Sequence, residues 1–456
     1  MTVAGPNPST KTARIPSRKQ HCCNRTNGER MAASNLTSDP DLDQLVTGLL
    51  TSDTAALADP YPIYRQLRAV EGLYLHPSGP TVVVSRFSDV RAVLGNSEEM
   101  SNRGLAVGSR AEAIRSKLEP ADQQIFDEVA AFENLYVSRA DGDLHQRVRR
   151  ISQRAFSPRK MSQLEGQAQQ YTEQLLDEMI QSGEDDWVRG FSSRLPMMMI
   201  CSLLDVPLSD IDLIRGWTAS IGKNRGGAVL EDLRAAHAAL NEFREYVREL
   251  VAVHREEKEH SELVSSLMGA AASGELTEDE LLATMVVLLF GGSDTTSALL
   301  ANGLAALLTE PGRWDELVGH VQDGNSRVAI EELIRYVTPV QTLWRVSTDD
   351  VEHAGETVPE GTTFLLVLGA ANRDPSVFDE PDALQLDRTP NHHIGFGHGI
   401  HFCVGAALAR LEGVTVLQHL AREAPQLSLT KQPEVADWTG NIQFRTLSSL
   451  KVSLGR

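Results

Sequence analysis

Between residues 144 and 333 apolar positions recur every three or four residues, the period of helices that bury one face. The clearest runs are HQRVRRISQRAF from His145, KMSQLEGQAQQYTEQLLDEMI from Lys160 and LEDLRAAHAALNEFREYVRELVAVHREEKE from Leu230. Upstream, residues 59 to 72 read as a proline-started amphipathic helix, and LYLHPSGPTVVVSR after it reads as a hairpin closed by Pro-Ser-Gly-Pro. FSDVRAVLG returns to helical period, whereas residues 101 to 140 are poorly periodic and are expected to form a long loop with short helices. Short strand-like runs follow between residues 345 and 368, and FRTLSSLKVSL at the end is strand-like too. Helices do not alternate with strands and no internal repeat occurs, so the expected fold is mainly α with small β-sheets, in one catalytic unit over 36–456 rather than a Rossmann domain. The three glycines of ASIGKNRGGA, residues 219 to 228, predict a mobile joint between two helices, of the kind that admits ligands.

The segment opening at Thr277 departs from that amphipathic rule. Thr277 and Glu280 form a capping box in sequence, and the chain is then apolar on almost every side through residue 308, which predicts a helix inside the protein. Into it are set Gly291, Gly292, Ser293, Asp294, Thr295 and Thr296. Adjacent glycines cost about 1 kcal/mol each in a helix interior, and buried Asp and Thr groups need partners. Either the glycines permit close helix packing and SDTT bonds its own backbone, or the turn is shaped to rest against a large planar ligand.

Composition narrows the function. The 456-residue chain carries a formal charge of −19, which argues against nucleic-acid or anionic-membrane partners. The apolar run at residues 281 to 290 is shorter than the roughly 20 residues a membrane span needs. Residues 1–35 lack a signal-type apolar core and read as a disordered tail, with Met31 an alternative start. Of four cysteines, Cys22 and Cys23 lie in that tail, Cys201 in an apolar run and Cys403 in a glycine-bearing loop, a usage that fits a reducing cytoplasm.

The loop, FGHGIHFCVG from Phe396 to Gly405, offers three chemistries: a zinc site with His398 and His401, a nucleophile with its base, or a lone thiolate for a cofactor. Glu332 and Arg335 lie three apart on one helical face, a spacing that suits a surface bridge as well as a buried pair. Arg345 in the apolar run VQTLWRVST calls for an anionic partner or water.

FGHGIHFCVG, GGSDTT and EELIR together resemble the cytochrome P450 family, in its soluble bacterial form, and the resemblance extends from about residue 59 to the C-terminus. Phe396, Gly399, His401, Cys403 and Gly405 match its haem loop, Glu332 and Arg335 its Glu-x-x-Arg motif, and Arg388 the third member of that network. Gly291, Gly292, Asp294 and Thr295 match the oxygen-activation motif, and ANRDP from Ala371 is a further signature.

The resemblance implies haem b with Cys403 as the thiolate ligand of the iron, and His145, Arg149, Arg345 and His401 as partners of the haem propionates. It implies Thr295 and Asp294 as the catalytic pair that manages protons, and a monooxygenase that inserts one atom of O2 into a hydrophobic small molecule. Electrons would come from a ferredoxin served by an NAD(P)H-dependent ferredoxin reductase, since the chain has no flavin or iron–sulfur segment; Arg147, Arg149, Arg150 and Arg154 offer a basic patch for it. A haem-binding sensor or electron-transfer protein is the competing reading. Leu289, Gly292, Val340, Leu343 and Ile442 are the expected pocket residues, and the protein is expected to be a cytoplasmic monomer.

Overall fold

A computed structural model of the chain describes residues 39–77, 81–103, 108–223, 230–256 and 260–455. The expected tail lies outside them, as does part of the glycine-rich joint. The helix before that joint runs through Ile211–Lys223, so it continues past the expected start of the break.

The central helix spans Glu278–Thr309, about 48 Å at 1.5 Å per residue. The capping box forms: Glu280 N–H donates to Thr277 Oγ1 at 3.2 Å, and Thr277 N–H to Glu280 Oε2 at 2.9 Å. Around this helix pack the helices Leu195–Leu203, Leu230–Glu256, Ser326–Val337 and Ala406–Glu423. Among the described residues it is the one helix long and apolar enough to cross a membrane, but 72% of its apolar window is buried inside the protein. Its all-round hydrophobicity is therefore explained by helical neighbours.

The predicted hairpin is present, with Tyr74–His76 antiparallel to Thr81–Val84. It extends into a five-stranded sheet ordered Tyr74–His76, Thr81–Val84, Thr363–Val367, Thr342–Ser347, Met100–Ser101. Thr363–Val367, central in that order, is buried at every position, as a strand covered on both faces must be. Phe364 and Leu366 pack toward the helix Phe87–Gly95, while Leu365 and Val367 pack toward Ile63, Tyr64 and Ile442. The chain end pairs Arg445–Leu447 with Trp438–Gly440 and Val452–Ser453 with Ser428–Leu429.

The region expected to be mostly loop differs. Pro120–Glu133 forms a 14-residue helix started by its proline, with Phe126, Val129, Ala130 and Phe132 on its buried side. Arg234, from the helix Leu230–Glu256, clasps the buried Asp122 with two bonds of 2.8 and 3.0 Å. The apolar spacing is helical but short, and the interhelical contact supplies what the local pattern lacks.

Candidate functional site

The loop 396–405 is a tight turn held by its own backbone. Cys403 N–H donates to the Phe396 carbonyl at 2.9 Å and Phe402 N–H to the Gly399 carbonyl at 3.1 Å. Gly399 has φ +74°, and a Cβ there would stand 2.8 Å from the Leu94 carbonyl, so only glycine lets the loop lie against the end of the helix Phe87–Gly95. His398 packs beside Gly95 of that helix end. The helix Ala406–Glu423 begins just after the loop, and the N–H groups of Gly405 and Ala406 favour a charged Cys403 sulfur. Cys403 is exposed by surface area, yet protein surrounds it closely enough that burial raises its pKa. The two N–H groups, Arg149 and Arg410 oppose that rise, so the sulfur combines access with poor hydration and a positive setting. Phe396 is half-buried, with the Arg410 guanidinium 4.5 Å over its ring.

Next to this loop the structure gathers four donors. The rings of His145 and His401 are 4.1 Å apart between centroids, and His145 Nε2 and His401 Nδ1 have no hydrogen-bond partner. Burial, with Arg345, His145 and Arg149 adding positive charge, lowers the His401 pKa to about 3. Burial and the Arg149 charge lower that of His145. Arg345 is buried; its Nη1 donates to the Trp344 carbonyl at 2.8 Å, and burial, partly offset by Asp141, brings its pKa to about 10. Burial also lowers the pKa of Arg149. Two imidazoles that their surroundings keep uncharged, each with an orphaned nitrogen, beside two arginines form a donor set suited to an anion.

The two adjacent glycines of the central helix serve different ends. A Cβ on Gly292 would lie 2.9 Å from Ile200 Cγ1, so this glycine admits the neighbouring helix; a Cβ on Gly291 would meet nothing within 4 Å. Gly291 and Asp294 are exposed and Thr295 is half-buried. The expectation of a buried carboxylate is thus corrected: the helix opens on the face that carries Gly291, Asp294 and Thr295. Thr295 Oγ1 donates to the Gly291 carbonyl at 2.9 Å, and Ser293 Oγ donates to the Leu289 carbonyl at 3.1 Å and to Asp294 Oδ1 at 3.3 Å. Both readings of the motif therefore have a share in it, packing at Gly292 and an open face beside it.

Comparison with known proteins gives this arrangement its relatives. A family model for cytochrome P450 matches residues 228–321 and 327–433. The vitamin D(3) 25-hydroxylase of Pseudonocardia autotrophica is 32% identical over 404 residues, covering 87% of this chain and 94% of that protein. The chain belongs to the cytochrome P450 family. It is thus an oxidoreductase of that family, whose members carry haem. It is also 36% identical over 315 residues to the polyketide biosynthesis cytochrome P450 PksS of Bacillus subtilis (strain 168), covering 68% of this chain and 76% of that protein. Among solved structures, P450BioI in complex with a hexadec-9Z-enoic acid-ligated acyl carrier protein superposes with a TM-score of 0.78 at 27% identity, over 88% of this chain and 100% of that one. Myxobacterial CYP267B1 in complex with myristic acid does so with a TM-score of 0.75 at 30% identity, over 88% and 97%.

In this P450 the Glu332 carboxylate receives Arg335 Nε at 2.7 Å, Arg388 Nε at 3.1 Å, Asn391 Nδ2 at 3.0 Å and the Gln385 backbone at 2.9 Å. Glu332 and Arg335 are fully buried, and Arg335 also donates to the carbonyls of Asn372, Pro381 and Ala383. The pair is therefore not a solvated surface bridge but the clamp that ties the helix Ser326–Val337 to the segment leading into the cysteine loop.

The donor set fits haem. The two haem propionates would meet His145, Arg149, Arg345 and His401, while a Cβ on Gly291 would meet nothing and Cys403 is exposed, as accommodating haem requires. Among the described residues no three His, Cys, Asp or Glu side chains converge, so the zinc reading finds no ligand set.

The expected pocket residues divide. Leu289 and Ile442 are buried in apolar clusters, and Gly292 meets Ile200, while Val340 and Leu343 are half-buried. Sequence reasoning missed Phe290 and Phe444, whose rings meet edge to face at 6.3 Å. It also missed Glu331, which receives Arg410 at 2.5 Å and His393 at 2.9 Å; adjacent glutamates on a helix give no signal as to which one is clamped. The expected basic patch is partly spent: Arg147 pairs with Glu280 at 2.8 Å and Arg150 with Glu275.

Proposed function

We propose that this P450 is a haem-thiolate monooxygenase in which Cys403 ligates the iron of haem b. The observation that carries the reading is the pairing of an accessible, poorly hydrated thiol at a helix start with four donors, none of which is ion-paired to a carboxylate among the described residues. His145, Arg149, Arg345 and His401 hold the two propionates, and Gly405 and Ala406 moderate the sulfur through their N–H groups. Haem with a thiolate ligand supplies the activation of dioxygen. The chain's own part is to manage protons: Asp294, on the exposed turn, takes them from water, and the Thr295 hydroxyl, now on the Gly291 carbonyl, turns to deliver them on the open face. The balance is R–H, O2, two electrons and two protons giving R–OH and water.

The electrons come from a separate ferredoxin and its NAD(P)H-dependent reductase, and the enzyme works as a cytoplasmic monomer. The substrate is a hydrophobic molecule of small to medium size, a reading supported by the vitamin D, polyketide and fatty-acyl names among the relatives. Haem protein with a Cys403→Ser exchange is the test. The wild type should show the red-shifted reduced-carbon-monoxide band of thiolate ligation and the variant should not; a band that survives the exchange removes Cys403 from the iron. A wild type that binds haem but never couples NAD(P)H use to substrate oxidation favours the sensor or electron-transfer alternative.

A further inference from the structure

Arg149 and Arg345 have an assigned anion in the haem carboxylates, but a third arginine in a similar setting does not. Burial pulls the Arg110 pKa down to about 10, and the charge acting on it is Arg139, of its own sign. Arg139 is itself paired with Glu133 at 3.0 Å. Among the described residues the half-buried Arg110 guanidinium makes no hydrogen bond and no ion pair; its contact is the face of Trp344, 4.5 Å from the ring centroid. The segment that bears it is pinned to the sheet. Arg110 N–H donates to Thr363 Oγ1 at 3.3 Å, and Gly108, at φ +97°, lies so close to Val346 that a Cβ would stand 2.8 Å from it.

The face of the strand Thr342–Ser347 separates Arg110 from the haem donors. Successive strand residues point to opposite sides. Leu343 packs with the cluster of Phe364, and Trp344 with that of Leu365, Val367 and Ile442, so Arg345 shares the Leu343 side and Arg110 lies on the other. On that side a series of apolar contacts links the strand to the open turn of the central helix. Val340, four residues and about 13 Å before Trp344 along an extended chain, bridges by its backbone to Phe444. Phe444 meets Phe290, which shares a helical face with Asp294 one turn on.

We propose that Arg110 anchors the carboxylate of an apolar carboxylic acid substrate, whose hydrocarbon body runs along Trp344, Val340 and Phe444 toward Thr295. This rests on the monooxygenase reading and narrows its substrate class.

The test is the low-to-high-spin difference spectrum of the holoenzyme, titrated with dodecanoic and hexadecanoic acids and with their methyl esters. At least one acid should bind about 10-fold or more tightly than its ester. Arg110→Gln should weaken that acid about 10-fold while leaving the ester within about 2-fold, and Arg110→Lys should recover part of the loss. Equal binding of acids and esters, no shift with either acid, or equal weakening of both ligands by Arg110→Gln overturns the proposal. So does a loss of haem from Arg110→Gln, which would make it a propionate partner. The reduced-carbon-monoxide band of the wild type is recorded in the same preparation; its absence overturns the monooxygenase reading itself, whereas its presence with esters favoured overturns only the carboxylate anchor.

Discussion

His145 and His401 come from a helix and from the cysteine loop, yet their rings stand 4.1 Å apart, with one nitrogen of each lacking a partner. Two adjacent imidazoles with unpartnered nitrogens beside two arginines are a poor arrangement for an empty protein and a good one for a dianion. His401→Ala should therefore speed transfer of haem to an acceptor globin by about 10-fold, the scale of one charge-assisted hydrogen bond. Unfolding of the haem-free protein should be unchanged or shift toward greater stability, because a buried nitrogen without a partner is removed. Equal haem transfer in variant and wild type would take His401 out of the propionate site.

Glu332 is the single carboxylate shared by Arg335 and Arg388, all three buried. Glu332→Gln leaves two cations without their anion, and a loss of about 3–5 kcal/mol is expected. Denaturant midpoints measure this directly, and a change under about 1 kcal/mol would mean that the carbonyl partners of Arg335 suffice.

Glu331 governs a pH dependence. Burial raises its pKa, but hydrogen bonds and charge from Arg410 and His393 outweigh it and bring the value from 4.5 to about 2. A depressed carboxylate stabilises the fold above its unfolded value and loses that contribution as pH falls, here from about 4.5 toward about 2. In urea titrations Glu331→Gln should be less stable than wild type at neutral pH by about 3 kcal/mol, an order-of-magnitude figure. The gap should narrow as pH falls through about 4.5 and close only near about pH 2. A gap that is constant with pH would show that Glu331 acts by packing alone.

Thr295 has a hydroxyl within reach of both its own helix and the open face. Thr295→Ala should keep haem and substrate binding but lower product per NAD(P)H by about 10-fold, with hydrogen peroxide accounting for the difference. Unchanged coupling would assign the protons to another group.

The helices Gly142–Ala155, Pro158–Ser182 and Glu278–Thr309 were readable because each carries its own period or cap, and the hairpin because its turn residues are local signals. Pro120–Glu133 was not, since the contacts that hold it, apolar packing and Arg234 reaching Asp122 across 112 residues, come from remote parts of the chain. Gly291 and Gly292 look alike in sequence, and only the position of Ile200 separates a packing glycine from an open one.

By itself the sequence determined the family, the mainly helical architecture and the order of Glu332, Arg345 and Cys403 along the chain, because short motifs encode backbone geometry and chemical type locally. Tertiary structure decided which charges lack a partner. His145 is brought to His401, Glu332 is enclosed by Arg335 and Arg388, and Arg110 is stacked on Trp344 with no acid paired to it among the described residues. Burial and pairing are properties of distances between remote residues, and these arise only once the chain has packed.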